Sequence, residues 1–359
     1  MRNAILLKRL ALTISQGLLV LLSAVSADAF PLQPIAGQES FFTRATFADS
    51  RLWLLTDAGE LSSITRKSAE QRAERMADPV FDLCVRDGHP VVATGKRLST
   101  PEWTLRQYSG NAWSTTKIIP TQGDDLVAME CDAGGITLLT TRRVVVVDEN
   151  GKQSAIVLSD SLDAVAVTSM HTVGDQIFVG INRGEWGGGL RRIDRGSGRV
   201  TTIERKGPSC YGPLNSECDP VNGIASEPWK PGCIAIAIGL VHFEPHGRVV
   251  EVCGDEVKPL YYAPYGEAGR RDHAKYGGEP WSTVAFFGLV AQGDALCAAG
   301  TDGLYRIEKN GTARVTPLPH FEKIGFAYVS FDLAHLILVL TGVNQRRSIS
   351  GSTPLLVAY

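Results

Sequence analysis

Residues 300–311 read G-T-D-G-L-Y-R-I-E-K-N-G. Thr301-Asp302-Gly303 carries turn chemistry, Leu304-Tyr305-Arg306-Ile307 alternates as a short strand does, and Lys309-Asn310-Gly311 turns the chain again. An apolar run, 295–299, precedes the unit and a short run, 313–315, follows it. The pattern predicts a β-meander with Gly303 and Gly311 at positive φ, where a Cβ is penalised. The unit recurs as G-G-G-L-R-R-I-D-R-G-S-G-R-V at 187–200, D-A-G-E-L-S-S-I at 57–64 and R-R-V-V-V-V-D-E-N-G at 142–151.

Seven strongly apolar segments anchor such repeats: 51–56, 90–95, 135–140, 176–181, 233–238, 294–299 and 335–340. Most begin about 40 residues apart, the period of a four-stranded propeller blade. The third unit is the clearest, with strands expected at 125–131, 135–140, 142–148 and 153–158. Residues 68–77, rich in Ala, Glu and Arg, read either as a short helix or as an irregular outer strand.

These repeats resemble seven-bladed β-propellers of the two-component-regulator and YVTN-like type, on the strength of G-T-D-G-L-Y-R-I at 300–307 and G-G-L-R-R-I-D at 188–194. The resemblance implies an all-β fold, a seven-bladed β-propeller whose last blade is closed by strands from both chain ends; the long extensions of the fourth and fifth repeats leave a six-bladed ring or an open-ended blade stack as alternatives. The closing partners would be residues 353–358 and a segment within 32–47. Closure matters because an open ring exposes unpaired strand edges.

The first 29 residues read as a signal peptide: Arg2, Lys8 and Arg9, a mostly apolar run over 10–25, and the small-x-small Ala27-Asp28-Ala29. The expected domain is a single propeller over 30–359, periplasmic or secreted and monomeric, with no membrane span in the mature chain. A net charge of −2 argues against a nucleic-acid surface, which needs a basic excess to displace counterions. Seven cysteines in an exported chain permit disulfides. Cys210 and Cys218 flank a short Gly/Pro/Asn loop and form the expected pair, with Cys253 able to compete for either partner. Cys84, Cys131 and Cys297 sit in strand-like contexts and read as buried thiols.

Two long intervals carry insertions, 205–221 and 254–282. Both join the last strand of one blade to the first of the next, which in propellers places them on the same rim as the loops 182–187 and 342–353. Long loops on a rigid scaffold commonly carry function. On this rim Trp186, Tyr265, Tyr276 and Trp281 offer flat apolar faces with polar edges. Arg183, Arg270, Arg271 and His273 offer donors to an anionic partner, and Glu185 and Asp219 either join them or neutralise them. The leading expectation is a propeller that binds a small molecule or protein on this face. The alternative is a lyase or lactonase using Glu185, Asp219, His273 and Arg270. His242 and Glu244, two apart, would share a strand face and suit a metal, but Pro245-His246-Gly247 reads as a turn and the stretch as a hairpin end. No cofactor or metal motif stands out.

Overall fold

The computed structural model describes residues 42–65, 71–95, 100–207, 210 and 212–317, and the backbone of Phe326–Leu333, Leu336–Gly342 and Leu355–Ala358. The described residues fold as an all-β propeller. Six sheets have four antiparallel strands each, in strict sequence order, spanning 42–74, 80–120, 126–157, 167–203, 221–261 and 286–317. The three remaining strands make one further sheet. Each of the seven apolar anchors falls on the second strand of its sheet.

The turns explain the order. Asp49 and Ser50 both take positive φ, 50° and 58°, as a two-residue hairpin turn requires. Phe42–Ala48 therefore folds back directly on Arg51–Thr56, pairing Ala48 with Arg51. In the third blade Asp132 Oδ1 accepts the Gly134 amide at 2.7 Å, and Asp148 Oδ1 accepts those of Asn150 and Lys152 at 2.9 and 2.8 Å. In the opening stretch Gly311 adopts φ +78°. Gly303 does not have positive φ. A Cβ there would instead meet Val315 Cγ1 at 2.6 Å and Thr316 O at 3.0 Å, so close packing explains that glycine.

Apolar side chains on both faces of the blades place the core between neighbouring blades. Val91, Trp103 and Leu105 of the second blade pack on Ile136, Leu138 and Val145 of the third; Leu139 and Val144 pack in turn on Ile177, Val179 and Ile193 of the fourth. Second strands are the most enclosed: Gly135–Thr140 and Ala295–Gly300 are buried along their whole length. First strands contact one another in a closed order, with Phe326–Leu333 touching both Phe286–Gln292 and Phe42–Ala48. The first strands thus line the ring's centre.

Several expectations are corrected. Complete four-stranded blades number six among the described residues, where seven were expected. Leu355–Ala358 does join the last sheet, pairing with Leu336–Gly342. Its expected partner, as far as it is described, is instead the inner strand of the first blade, because the Asp49-Ser50 turn ties it there; residues 32–41 lie outside the described residues, as does the 1–29 segment. Residues 71–74 form an outer strand. The insertion placed at 254–282 begins only after the outer strand Glu256–Tyr261, and it contains an 11-residue helix, Gly266–Tyr276. The loop assigned to 342–353 lies, beyond Gly342, outside the described residues.

Cys210 pairs with Cys218. Cys253 pairs with Cys233, directly across a strand pair. Cys84 and Cys131, expected as thiols, are bonded to each other. They sit on the inner strands of adjacent blades, 47 residues apart in sequence, and the ring brings those strands side by side. Cys297 is a buried free thiol whose pKa burial pushes up to about 11.

Candidate functional site

The two insertions gather around one buried guanidinium. Arg248 lies on the third strand of the fifth blade, 6% exposed. Its Nε donates to Pro213 O at 3.0 Å and its Nη2 to Gly212 O at 3.0 Å and to Asp219 Oδ2 at 2.6 Å, all in the first insertion. Its Nη1 reaches Glu279 of the second insertion at 3.3 Å. Asp219 also accepts the Asn215 amide at 2.7 Å. Burial raises the Asp219 pKa to about 6 against the opposing pull of Arg248. Asp219 is therefore a fastening beneath the face, not a group on it.

The loop after the fourth blade's second strand is a 3-10 turn, Gly184–Trp186, held to the first insertion by Gly188 N–H to Ser216 O at 2.9 Å and Gly189 N–H to Asp219 O at 2.8 Å. Beside it the fifth blade's middle strands, Ile234–His242 and Glu244–Cys253, run past the ring as a ribbon that turns at Phe243, φ +63°. Glu185 Oε2 meets His242 Nδ1 at 2.9 Å, and Ser282 Oγ donates to Glu244 at 3.2 Å. Those two contacts bracket the ribbon tip with Trp186 on one flank and Trp281 on the other. All three aromatics stand in solvent: Trp186 is 77% exposed, Trp281 81% and Phe243 94%. The His242 ring lies 4.3 Å from that of Phe243.

The expected site residues divide accordingly. Glu185, Trp186 and Trp281 come together at the ribbon tip. Arg183 is half-exposed nearby, 3.7 Å from Asp163. Tyr265 precedes the helix and packs partly buried against the fifth and sixth blades. Arg270, Arg271 and Tyr276 lie exposed on the helix, with Arg271 beside Asp272 at 3.7 Å and Lys275 over the Tyr276 ring. His273 lies near the helix end, where its Nδ1 bonds Gly278 O at 2.6 Å. The four groups named for acid–base work thus have four separate partners or settings. Phe243 was missed, because it sits where sequence reading saw only a hairpin end. His242 pairs with Glu185, and Glu244 accepts from Ser282. Among the described residues the one group of three donors within 4.8 Å is Glu227, Cys233 and Cys253, whose sulfurs are spent in a disulfide.

No family model and no curated protein matches the chain. Solved structures do match in fold. The extracellular domain of a one-component system from B. thetaiotaomicron superposes with a TM-score of 0.54 at 14% identity over 85% of this chain, which spans 37% of that protein's chain. YCF48 from Cyanidioschyzon merolae gives 0.56 at 13% identity, covering 86% of this chain and 94% of its own, and has also been solved bound to D1 peptide. The WD40 repeats of RRP9 give 0.56 at 11% identity, covering 91% and 97%. At such identities the likeness is one of fold.

Proposed function

We propose that this is an exported propeller that binds a partner, peptide or protein, through the aromatic rim formed by Trp186, Phe243 and Trp281. The observation that carries it is a ribbon lifting a phenylalanine almost wholly into water between two exposed tryptophans. Clustered exposed aromatics are costly in an isolated soluble protein and are the residues that anchor interfaces. A propeller neighbour solved bound to a peptide and another that is the extracellular domain of a one-component system support the reading as analogy. Three disulfides support export, since such bonds persist in oxidising compartments. The three-stranded sheet is read as a seventh blade, because its first strand fills the ring between the sixth and first blades.

A photo-crosslinking amino acid at position 243, expressed in the native host, tests the rim. The expected result is an adduct of discrete mass that is also formed from position 281 and lost with Trp186→Ala. The same adduct pattern from the exposed outer-strand position Val157 would remove the rim from consideration. Fusing residues 1–29 to a reporter active only outside the cytoplasm tests export separately.

A further inference from the structure

At the other end of the inner strands, away from the insertions, three neighbouring blades bring a serine, a histidine and a carboxylate into line. Glu130 comes from Leu126–Asp132, His171 from Val167–Val173 and Ser226 from Val221–Ser226. His171 Nε2 lies 2.8 Å from Ser226 Oγ, and His171 Nδ1 lies 3.6 Å from Glu130 Oε1. Glu130 is fixed by Thr172, whose hydroxyl donates to Oε2 at 2.5 Å and whose amide donates to Oε1 at 3.4 Å. Burial acts to raise the Glu130 pKa, but the nearby His171 ring and the hydrogen bonds from Thr172 outweigh it and hold the group below the ordinary carboxylate range. An ionised Glu130 favours the proton on Nδ1, which leaves the Nε2 lone pair facing the serine hydroxyl. The side chains are accessible: His171 is 25% and Glu130 24% exposed.

The backbone supplies a fourth element. Inner strands pair on one edge only, so alternate amides of the other edge face inward. The Thr172 amide lies on that edge, as its bond to Glu130 shows. Thr172 and Ser226 each stand three residues beyond Ser169 and Gly223, where the register of their inner strands shifts. The Ser226 amide therefore faces inward beside its own Oγ, where a developing oxyanion would sit.

We propose that Ser226, His171 and Glu130 form a nucleophilic site that hydrolyses small acyl esters entering the ring from this end. Ser226 Oγ attacks the ester carbonyl while its proton passes to His171 Nε2. The C–O bond to the alcohol then breaks, and the alcohol leaves with that proton. Water, deprotonated by His171, attacks the acyl-serine and releases the carboxylic acid, restoring the Ser226 hydroxyl. Glu130 does not touch substrate; it orients His171 as the third member of such a set does. The site is independent of the aromatic rim and stands or falls without it.

The full protein is treated with an alkyl fluorophosphonate and digested for mass spectrometry, and hydrolysis of p-nitrophenyl acetate is measured alongside. The expected result is an adduct on Ser226, with ester hydrolysis falling at least ~100-fold in Ser226→Ala and in His171→Gln, the lower range for loss of a positioned base. Glu130→Gln should slow adduct formation and shift its pH profile while the melting temperature stays near wild type. Folded wild-type protein whose Ser226 remains unmodified in excess probe overturns the proposal without any variant being needed. So does hydrolysis that survives Ser226→Ala, or labelling whose rate His171→Gln leaves unchanged.

Discussion

Glu227 shows how much one side chain can store. It is 3% exposed, neither carboxylate oxygen has a hydrogen-bond partner, and burial, with the nearby Glu251, pushes its pKa to about 7. The raised value means that the folded state holds a proton the unfolded chain releases near 4.5. Its contribution is present below that pH and is lost as pH rises toward 7. Glu227→Gln should therefore gain stability relative to wild type as pH climbs from 5 to 8, by at most about 1.4 kcal/mol per pH unit. Melting curves across that range check it, and a gap that does not vary with pH would count against the buried-acid reading. The rim aromatics behave oppositely. Because Phe243 and Trp186 bury little, Phe243→Ala and Trp186→Ala should change stability by no more than about 0.5 kcal/mol. Each should weaken the crosslinked partner by about 2 kcal/mol or more, measured by titration once the partner is identified.

Among elements, the disulfides can be ranked by the loops they close. Cys210–Cys218 spans 8 residues and Cys84–Cys131 spans 47. The chain-entropy estimate is about 2.5 kcal/mol for the first and about 4 kcal/mol for the second. Denaturant unfolding of the two double Ser variants should show the cross-blade bridge to be the costlier loss. The sequence revealed the first pair, since its loop is local, but not the second, because nothing near Cys84 says which later strand the ring will lay beside it. The helix Gly266–Tyr276 was overlooked for a related reason: Gly266 and Gly269 weaken its propensity, although Gly277 and the basic last turn were legible stop signals. Replacing residues 266–278 with a short Gly/Ser link should leave the propeller folded, since loop closure depends weakly on length. Glu279 is kept in that variant because it holds Arg248. A noncooperative melt would show that the helix supports the core.

For the whole molecule, strand content should dominate the far-UV circular dichroism, with helix below about a quarter, less than in average soluble domains. A larger helical share would contradict the meander. Period and turn chemistry made the ring readable: the seven anchors depend on alternation and on residues such as Asn310 and Gly311, which act locally. What escaped was everything built by closure. Glu130, His171 and Ser226 come from equivalent strands of successive blades, and no local motif links them; only aligning the blades would have brought them together. The blade count and the closing strands likewise depend on which edges meet, a matter of three-dimensional order.

Arg248 has a consequence for exchange between proteins. A single guanidinium on the wall of the fifth blade grips Gly212, Pro213 and Asp219 on one side and Glu279 on the other. The two insertions therefore cannot be transplanted separately. A chimaera given residues 204–220 alone would bury Asp219 without its cation, at a cost of about 3–5 kcal/mol. Grafted together with the strand that bears Arg248, the same loops should travel as one cassette, and divergence of the rim is free only in residues that this side chain does not hold.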